Sequence, residues 1–265
     1  MNFSEKVTLG RSGLEVGRLG ISSSYGANAA VFEEAFDYGC NYFTWGTFVK
    51  GDSTEMKRAI RNLVAKGNRE KLVISVFTYA HDPFLTKYFL KRRLKALGID
   101  HIDILLLGYF PKVPSRRILD GAIKLKEQGM VRHIGVSGHN RKMFKDLVNV
   151  PEIEVIHLRY NAAHRGAEEE VFPYFNINNR PGIVSFTATR WGKLMNQKKM
   201  PKGESPLTAA DCYRYVLSNP SVDVCMMGIK NSDQLRENMA IIEMGKLDKE
   251  ELKRIEHVGK YVYDH

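Results

Sequence analysis

Leu72-Val-Ile-Ser-Val-Phe77, the stretch Pro83–Leu97, and Ile102-Asp-Ile-Leu-Leu-Leu107 decide the fold. The two short runs are apolar almost throughout, the mark of a strand buried on both faces of a parallel sheet. The segment between them carries a helical pattern. Parallel strands need a crossover of such length to join them. Working outward, the same alternation recurs. Further apolar runs are Leu19–Ser22, Asn41–Trp45, His133–Ser137, Val155–Leu158, Ile183–Phe186 and Val222–Met226. Helical patterns follow each run: Val31–Tyr38, Ser53–Lys66, Ser115–Glu127, Arg141–Val148, Ala167–Phe175, Thr208–Leu217 and Ser232–Ile242 complete the set. In the second, Asp52 with Glu55 resembles a capping box. Asp37-Tyr38-Gly39 and Gln128-Gly129 read as helix stops.

Eight strand–helix units without a Pro/Gly/Ser-rich linker predict one α/β domain over residues 1–265, a (β/α)8 TIM barrel. A doubly wound sheet is the other architecture. It commonly has fewer strands and, for nucleotides, a G-x-G-x-x-G turn that this chain lacks. Val7-Thr8-Leu9 and Leu14-Glu15-Val16 flank Gly10-Arg-Ser-Gly13, a short hairpin predicted to close the base of the barrel. Lys249–Val262, with Leu252, Ile255 and Val258 on one face, predicts an extra C-terminal helix.

The 265 residues are 43% hydrophobic and 26% charged, with a formal charge of +10. The excess cations are scattered, as in Lys91-Arg92-Arg93 and Lys198-Lys199, which describes a solvated basic surface with one anion site. Zinc-finger spacing, a basic tail and an aromatic–basic RNA-binding pattern are absent, so no nucleic-acid partner is expected. No apolar run approaches the roughly 18 residues that span a bilayer, so no membrane partner is expected either. Met1–Gly10 holds no signal-peptide core, and Cys40, Cys212 and Cys225 form no C-x-x-C. A cytoplasmic protein acting on a small molecule is the expectation. Nothing in the sequence sets its oligomeric state.

A barrel places its chemistry at the C-terminal ends of its strands, often with a phosphate site after the last two. Gly228-Ile-Lys-Asn-Ser-Asp233 follows the eighth run. Gly228 permits close backbone approach, Asn231 or Ser232 can cap the helix, and Lys230 adds charge beside a helix N-terminus. After the seventh run, residues 188–206 carry Arg190, Lys193, Lys198, Lys199 and Lys202 against one acid, Glu204.

Four segments resemble the aldo-keto reductases. They are Leu9-Gly-Arg-Ser-Gly-Leu-Glu-Val-Gly-Arg-Leu-Gly20, Gly129-Met-Val-Arg-His-Ile-Gly-Val-Ser137, Arg159-Tyr-Asn161 with His164-Arg-Gly-Ala-Glu-Glu-Glu170, and Gly228-Ile-Lys-Asn-Ser-Asp-Gln-Leu-Arg-Glu-Asn238. The resemblance implies NADP(H) extended across the barrel mouth. Lys230 takes the place of the family's 2′-phosphate contact, and Gln234 and Asn238 face the adenine. Ser137 holds the carboxamide, and Phe186 stacks where the family usually has a tyrosine. His157 stands at the family's carboxamide-binding glutamine, and Gly138 at its asparagine. Arg190 and Lys193, on the long basic loop above the cofactor, are read as cofactor-binding residues too.

The same resemblance implies an Asp, Tyr, Lys and His tetrad, in which the tyrosine gives a proton to a carbonyl oxygen. Those positions are Thr44, Val49, Phe77 and Gly108 here. Tyr109 and His139 are the replacement candidates at the rim, with Tyr25, Tyr79, His81, His157 and Lys50 behind them. Trp45, Phe77, Phe110 and Trp191 suggest an aromatic pocket, or else fill the volume that the lost polar groups vacate. His133, His139, His157 and His164 with Glu168–Glu170 are read as no metal site, the glutamates answering to a helix dipole. Three functions stay open: an NADP(H)-dependent oxidoreductase with a non-standard proton donor, a lyase or isomerase on the same barrel, and a catalytically silent NADP(H)-binding sensor or partner protein.

Overall fold

A computed structural model describes residues 2–46, 53–175 and 179–265. A hairpin of β1 (Val7–Thr8) and β2 (Glu15–Val16) precedes eight strands: β3 (Leu19–Ser22), β4 (Tyr42–Trp45), β5 (Val73–Thr78), β6 (Ile102–Gly108), β7 (Val131–Gly138), β8 (Ile153–Arg159), β9 (Gly182–Phe186) and β10 (Val224–Met227). All pairs among these eight are parallel, and β10 closes onto β3 to make a barrel. The connecting helices are α1 (Ala29–Asp37), α2 (Thr54–Ala65), α3 (Pro83–Leu97), α4 (Arg116–Glu127), α5 (Arg141–Asp146), α6 (Ala167–Glu170), α7 (Ala209–Ser218), α8 (Ser232–Met239) and α9 (Ile241–Met244), and α10 (Lys249–Asp264) ends the chain. The architecture is the (β/α)8 barrel that the alternation predicts.

Strand parity divides the core in two. Tyr42, Val73, Ile104, Leu106, Val155, Val184 and Val224 fill the barrel interior with Leu9 and Val16 of the hairpin. Their sequence neighbours, among them Phe43, Ile74, Leu105, Ile156 and Ile183, pack outward against the helices. Successive side chains on a strand point to opposite faces, so each run had to be apolar on both.

The hairpin seals the base by close backbone contact. Gly10 has φ +48°, and a Cβ there would lie 2.2 Å from the Gly182 nitrogen. Beside it, Asp223 accepts from both terminal nitrogens of Arg180 at 2.6 Å and from the Ile183 amide at 2.8 Å, tying the bottom of β9 to the entry of β10. A buried charge needs such complete pairing.

Two local readings change. Asp52 lies outside the described residues; Ser53 caps α2, accepting from the Met56 amide at 3.1 Å. Glu55 accepts from the Ala29 amide at 3.0 Å, in the first turn of α1, where a carboxylate meets unpaired N–H groups. Glu168 answers to side chains rather than to a dipole, since α6 spans four residues. It accepts from Tyr160 at 2.7 Å, Tyr215 at 3.2 Å and Arg165 at 2.9 Å. The C-terminal helix forms as predicted, with Asp248 and Glu251 making a capping box and Ile255, Val258 and Val262 buried. Leu252 is partly buried against the same core. Among the described residues no helix is long and apolar enough to cross a membrane.

Candidate functional site

The mouth of the barrel holds a cavity of about 470 Å³. Register places its floor. Ser22 pairs with Thr44, Gly108 with Ser137, Ser137 with His157, and Arg159 with Phe186, so these strand ends neighbour one another around the floor. The cavity runs from this floor outward, past Trp191, Met195 and Tyr213, to Gly228, Lys230, Gln234 and Asn238. Tyr109, Ser137, His139, His157 and Phe186 line its inner part. Nine of the eleven residues proposed from the sequence therefore share one cavity.

Arg190 and Lys193 do not. They line a neighbouring cavity of about 210 Å³ with Arg159 and His164. The chain turns back sharply there: Thr187, Arg190 and Trp191 have φ values of +60°, +49° and +57°. Left-handed non-glycine residues cost free energy and persist where the surroundings enforce them.

On the side of β4 to β6 the floor is dry. Thr44 is buried, and its hydroxyl has no hydrogen-bond partner. The Phe77 ring stacks on Tyr79 with centroids 5.5 Å apart and planes 5° from parallel. A Cβ at Gly108 would meet the Tyr79 ring at 2.8 Å and Phe77 at 3.2 Å. Phe77, Tyr79 and Gly108 thus form a single packing unit. Val49, with Phe48 and Lys50 beside it, lies outside the described residues.

An aromatic arc continues from there. Tyr79 lies 5.5 Å from Tyr109, Tyr109 lies 5.6 Å from His139, and His139 meets Phe186 edge-on at 5.5 Å. Tyr109 has φ +56° and is 49% exposed, so its ring stands over the mouth. His139 titrates below an ordinary histidine because of partial burial and then because of the Arg159 charge. It is mainly neutral at pH 7.

His157 is buried beneath the arc, its Nε2 2.7 Å from the Tyr42 hydroxyl. Burial drives its pKa down to about 3. The Tyr42 phenol, pushed up by burial, stays protonated, so both members of this hydrogen bond are neutral. His157 is thus a neutral, fixed element of the floor.

Several aromatic expectations are corrected by parity and packing. Trp45 points away from the cavity into the outer core, because it neighbours the inward Thr44; its indole N–H donates to the Ser53 carbonyl at 3.0 Å. Phe110 is buried against His81, ring centroids 4.2 Å apart, and neither lines the cavity. Phe77 and Trp191 do line it, as does Tyr25, whose ring covers Gly228 at distances that leave no room for a Cβ.

At the outer end, Asn231 caps α8 by accepting from the Gln234 amide at 2.9 Å, and the Gln234 carbonyl oxygen accepts from the Lys230 amide at 3.1 Å. These bonds fix the loop and leave the Lys230 ammonium on the exposed lip. Asn238 is buried, with its amide nitrogen 3.8 Å from the Met227 sulfur. Sequence reasoning missed Tyr213, Met195 and Glu237 as lining groups; Tyr213 sits in α7, where its helical pattern signals only core.

This geometry has relatives. The family model of the aldo/keto reductases matches residues 6–208 and 197–260. Aldo-keto reductase family 1 member D1 of Rattus norvegicus is 27% identical over 49% of this chain and 45% of its own, so the chain spans about half of that relative's length. Two others align end to end: the uncharacterized oxidoreductase YqkF of Bacillus subtilis, 22% identical over 97% of this chain and 98% of its own, and L-galactose dehydrogenase of Arabidopsis thaliana, 22% identical over 97% and 95%. Among solved structures, the holo form of aldo-keto reductase AKR11C1 from Bacillus halodurans superposes with a TM-score of 0.79 at 19% identity, covering 96% of both chains, which is a likeness of fold. With the model matched across nearly all of its length, the chain belongs to the aldo/keto reductase family.

Proposed function

We propose that this chain binds NADP(H) across the barrel mouth and works as an aldo-keto-reductase-like oxidoreductase with a non-standard catalytic site. One observation carries the reading. A single cavity joins a cation beside a helix N-terminus, Lys230, to a polar and aromatic inner end, Ser137 and Phe186. A long ligand with phosphate at one end and a flat amide-bearing ring at the other matches that donor set. Lys230 holds the 2′-phosphate, Gln234 and Asn238 face the adenine, and Phe186 stacks on the nicotinamide. Ser137 and the neutral His157 supply hydrogen bonds at the carboxamide. When bound, the cofactor supplies a hydride.

The chain's own part is orientation and proton supply. Tyr109 and His139 stand together at the rim, and the Tyr109 hydroxyl is the proton donor of this reading. His139, mainly neutral, positions substrate beside it. Thr44, Phe77 and Gly108 offer neither an acid nor a cation to tune one. A general acid contributes roughly 10²–10⁴-fold, so an easily reduced substrate can still react.

Titration of the protein with NADPH, followed by transfer of deuterium from the labelled nicotinamide, tests this. Saturable binding with stereospecific label loss is the expected result; absence of binding ends the reading. The stacking of Phe77 on Tyr79 beneath Gly108 favours a second reading, a catalytically silent NADP(H)-binding protein. Binding without label loss to any carbonyl would select it.

A further inference from the structure

The smaller cavity beside the mouth brings together three cations from two strand ends. Arg159 closes β8, while Arg190 and Lys193 stand on the loop after β9. The acids of this quarter are taken by other arginines. Glu170 pairs with Arg141 at 2.6 Å, and Glu168 and Glu256 both pair with Arg165 at 2.9 Å. Among the described residues Arg159, Arg190 and Lys193 have no ion pair, and Nη1 of Arg190 is buried without a hydrogen-bond partner. The C-terminal helix shields the cluster: Tyr263 lies 6.0 Å beneath the Arg190 guanidinium and meets His164 edge-on at 5.5 Å.

The cluster repels itself. Arg159 is held below the usual arginine range by burial and then by Arg141 and Arg190. Burial first, and then Arg159, Arg190, Arg141 and Lys193, lower His164 to about 4. Cations gathered in a partly dry cavity without a counter-ion create a field that favours an anion. Guanidinium groups match a tetrahedral oxyanion through paired N–H donors.

We infer that this second cavity is a binding site for the phosphate group of a phosphorylated small molecule, separate from the place of the cofactor. Arg159, Arg190 and Lys193 hold the dianion. Thr187 and Trp191 line both cavities, so a ligand anchored here extends into the mouth towards His139 and Phe186. That extension, which makes the ligand a substrate, rests on the reading of the mouth given above; the phosphate site itself does not.

Inorganic phosphate is the probe, compared with acetate and chloride at equal ionic strength. Thermal unfolding and the His164 imidazole proton resonance are read together. Phosphate should raise the melting temperature and move the His164 midpoint upward; acetate and chloride should do so much less. Arg190→Met, and separately Lys193→Met at an exposed position that folding does not need, should each weaken the phosphate response at least tenfold. Both should leave NADPH affinity within twofold. Equal responses to the three anions would overturn the site, as would variants that keep the phosphate response. A tenfold loss of NADPH affinity in both variants would overturn the separation from the cofactor. If the parent protein binds phosphate but no NADPH, the mouth reading falls and the phosphate site stands.

Discussion

Two arcs of the barrel mouth differ in opposite directions. From β4 to β6 the inward positions at the rim are Thr44, Phe77 and Gly108. From β7 round to the start of α8 they are Ser137, His157, Phe186, Gly228 and Lys230. The backbone is the same device in both arcs, the end of a parallel strand, yet one arc is dry and aromatic and the other polar. Fold fixes where chemistry can be placed and leaves open what is placed there. The dry arc also packs as a unit. The space above Gly108 is occupied by Tyr79, which lies on Phe77, so no one of these three residues can change size without moving another.

The largest expected effect concerns chemistry at the dry arc. Without a tuned acid or a cation, a simple aromatic aldehyde must accept hydride with its oxyanion unstabilised. Each of the two lost contributions is worth roughly 3 kcal/mol or more, so turnover should lie about 10⁴-fold under an ordinary value near 10 s⁻¹. Steady-state oxidation of NADPH with that aldehyde measures it. A rate near 1 s⁻¹ would show that residues outside the dry arc supply the acid and the charge, and an unchanged rate in Tyr109→Phe would remove Tyr109 as the donor.

The buried imidazole between the arcs gives the next effect, on stability. His157 takes a proton only near pH 3 when folded and near 6.5 when unfolded. Between those values the unfolded state holds one proton more. Stability is therefore full above pH 6.5 and falls as pH drops, by at most about 1.4 kcal/mol per unit from this group. Urea unfolding at pH 7.5, 6.5 and 5.5 should show a steeper acid limb in the parent than in His157→Gln; parallel curves would mean that the imidazole reaches solvent.

Gly108→Ala tests whether the dry arc is one packed unit. The new Cβ meets an aromatic ring at 2.8 Å, so Tyr79 must move off Phe77. Overpacking of this kind costs about 1–3 kcal/mol. Tyr79→Leu in the same chain should recover most of the loss, giving a double-mutant cycle far from additive. Additive losses would separate the two residues.

Much of this was legible beforehand, and the misses have physical causes. Leu19–Ser22 and Pro83–Leu97 are read to the residue, since both are bounded by strong local signals and buried on defined faces. Trp45 is misplaced because an apolar run buried on both faces shows no alternation; its parity follows only once the adjacent Thr44 is known to point inward. Arg190 and Lys193 lie in a loop without periodicity, whose left-handed turns at Thr187, Arg190 and Trp191 carry no glycine to announce them. The partners that make their cavity, Arg159 and His164, come from β8 and the loop after it, and nothing local links them. The cap of α2 is Ser53, and Glu55 meets the first turn of a neighbouring helix, a contact that sequence spacing does not encode.

The smallest expected effect belongs to the polar arc. Lys230 stands on the exposed lip of α8, where solvent screens its charge, so its contribution to a 2′-phosphate contact is modest. One charge-assisted contact of about 1.4 kcal/mol is a tenfold preference for NADPH over NADH. Lys230→Ala should bring the two affinities within about twofold of each other, chiefly by weakening NADPH. The Asn231 cap and the Lys230 amide bond to Gln234 involve no lysine side-chain atom, so α8, with Gln234 and Asn238, remains in place. NADH affinity should accordingly stay as it is in the parent. Raising the ionic strength should erode the parent's preference and leave the variant unmoved, as expected of a surface charge and not of a steric fit. A parent that never preferred NADPH, or a variant that keeps the preference, would move the phosphate contact away from this lip.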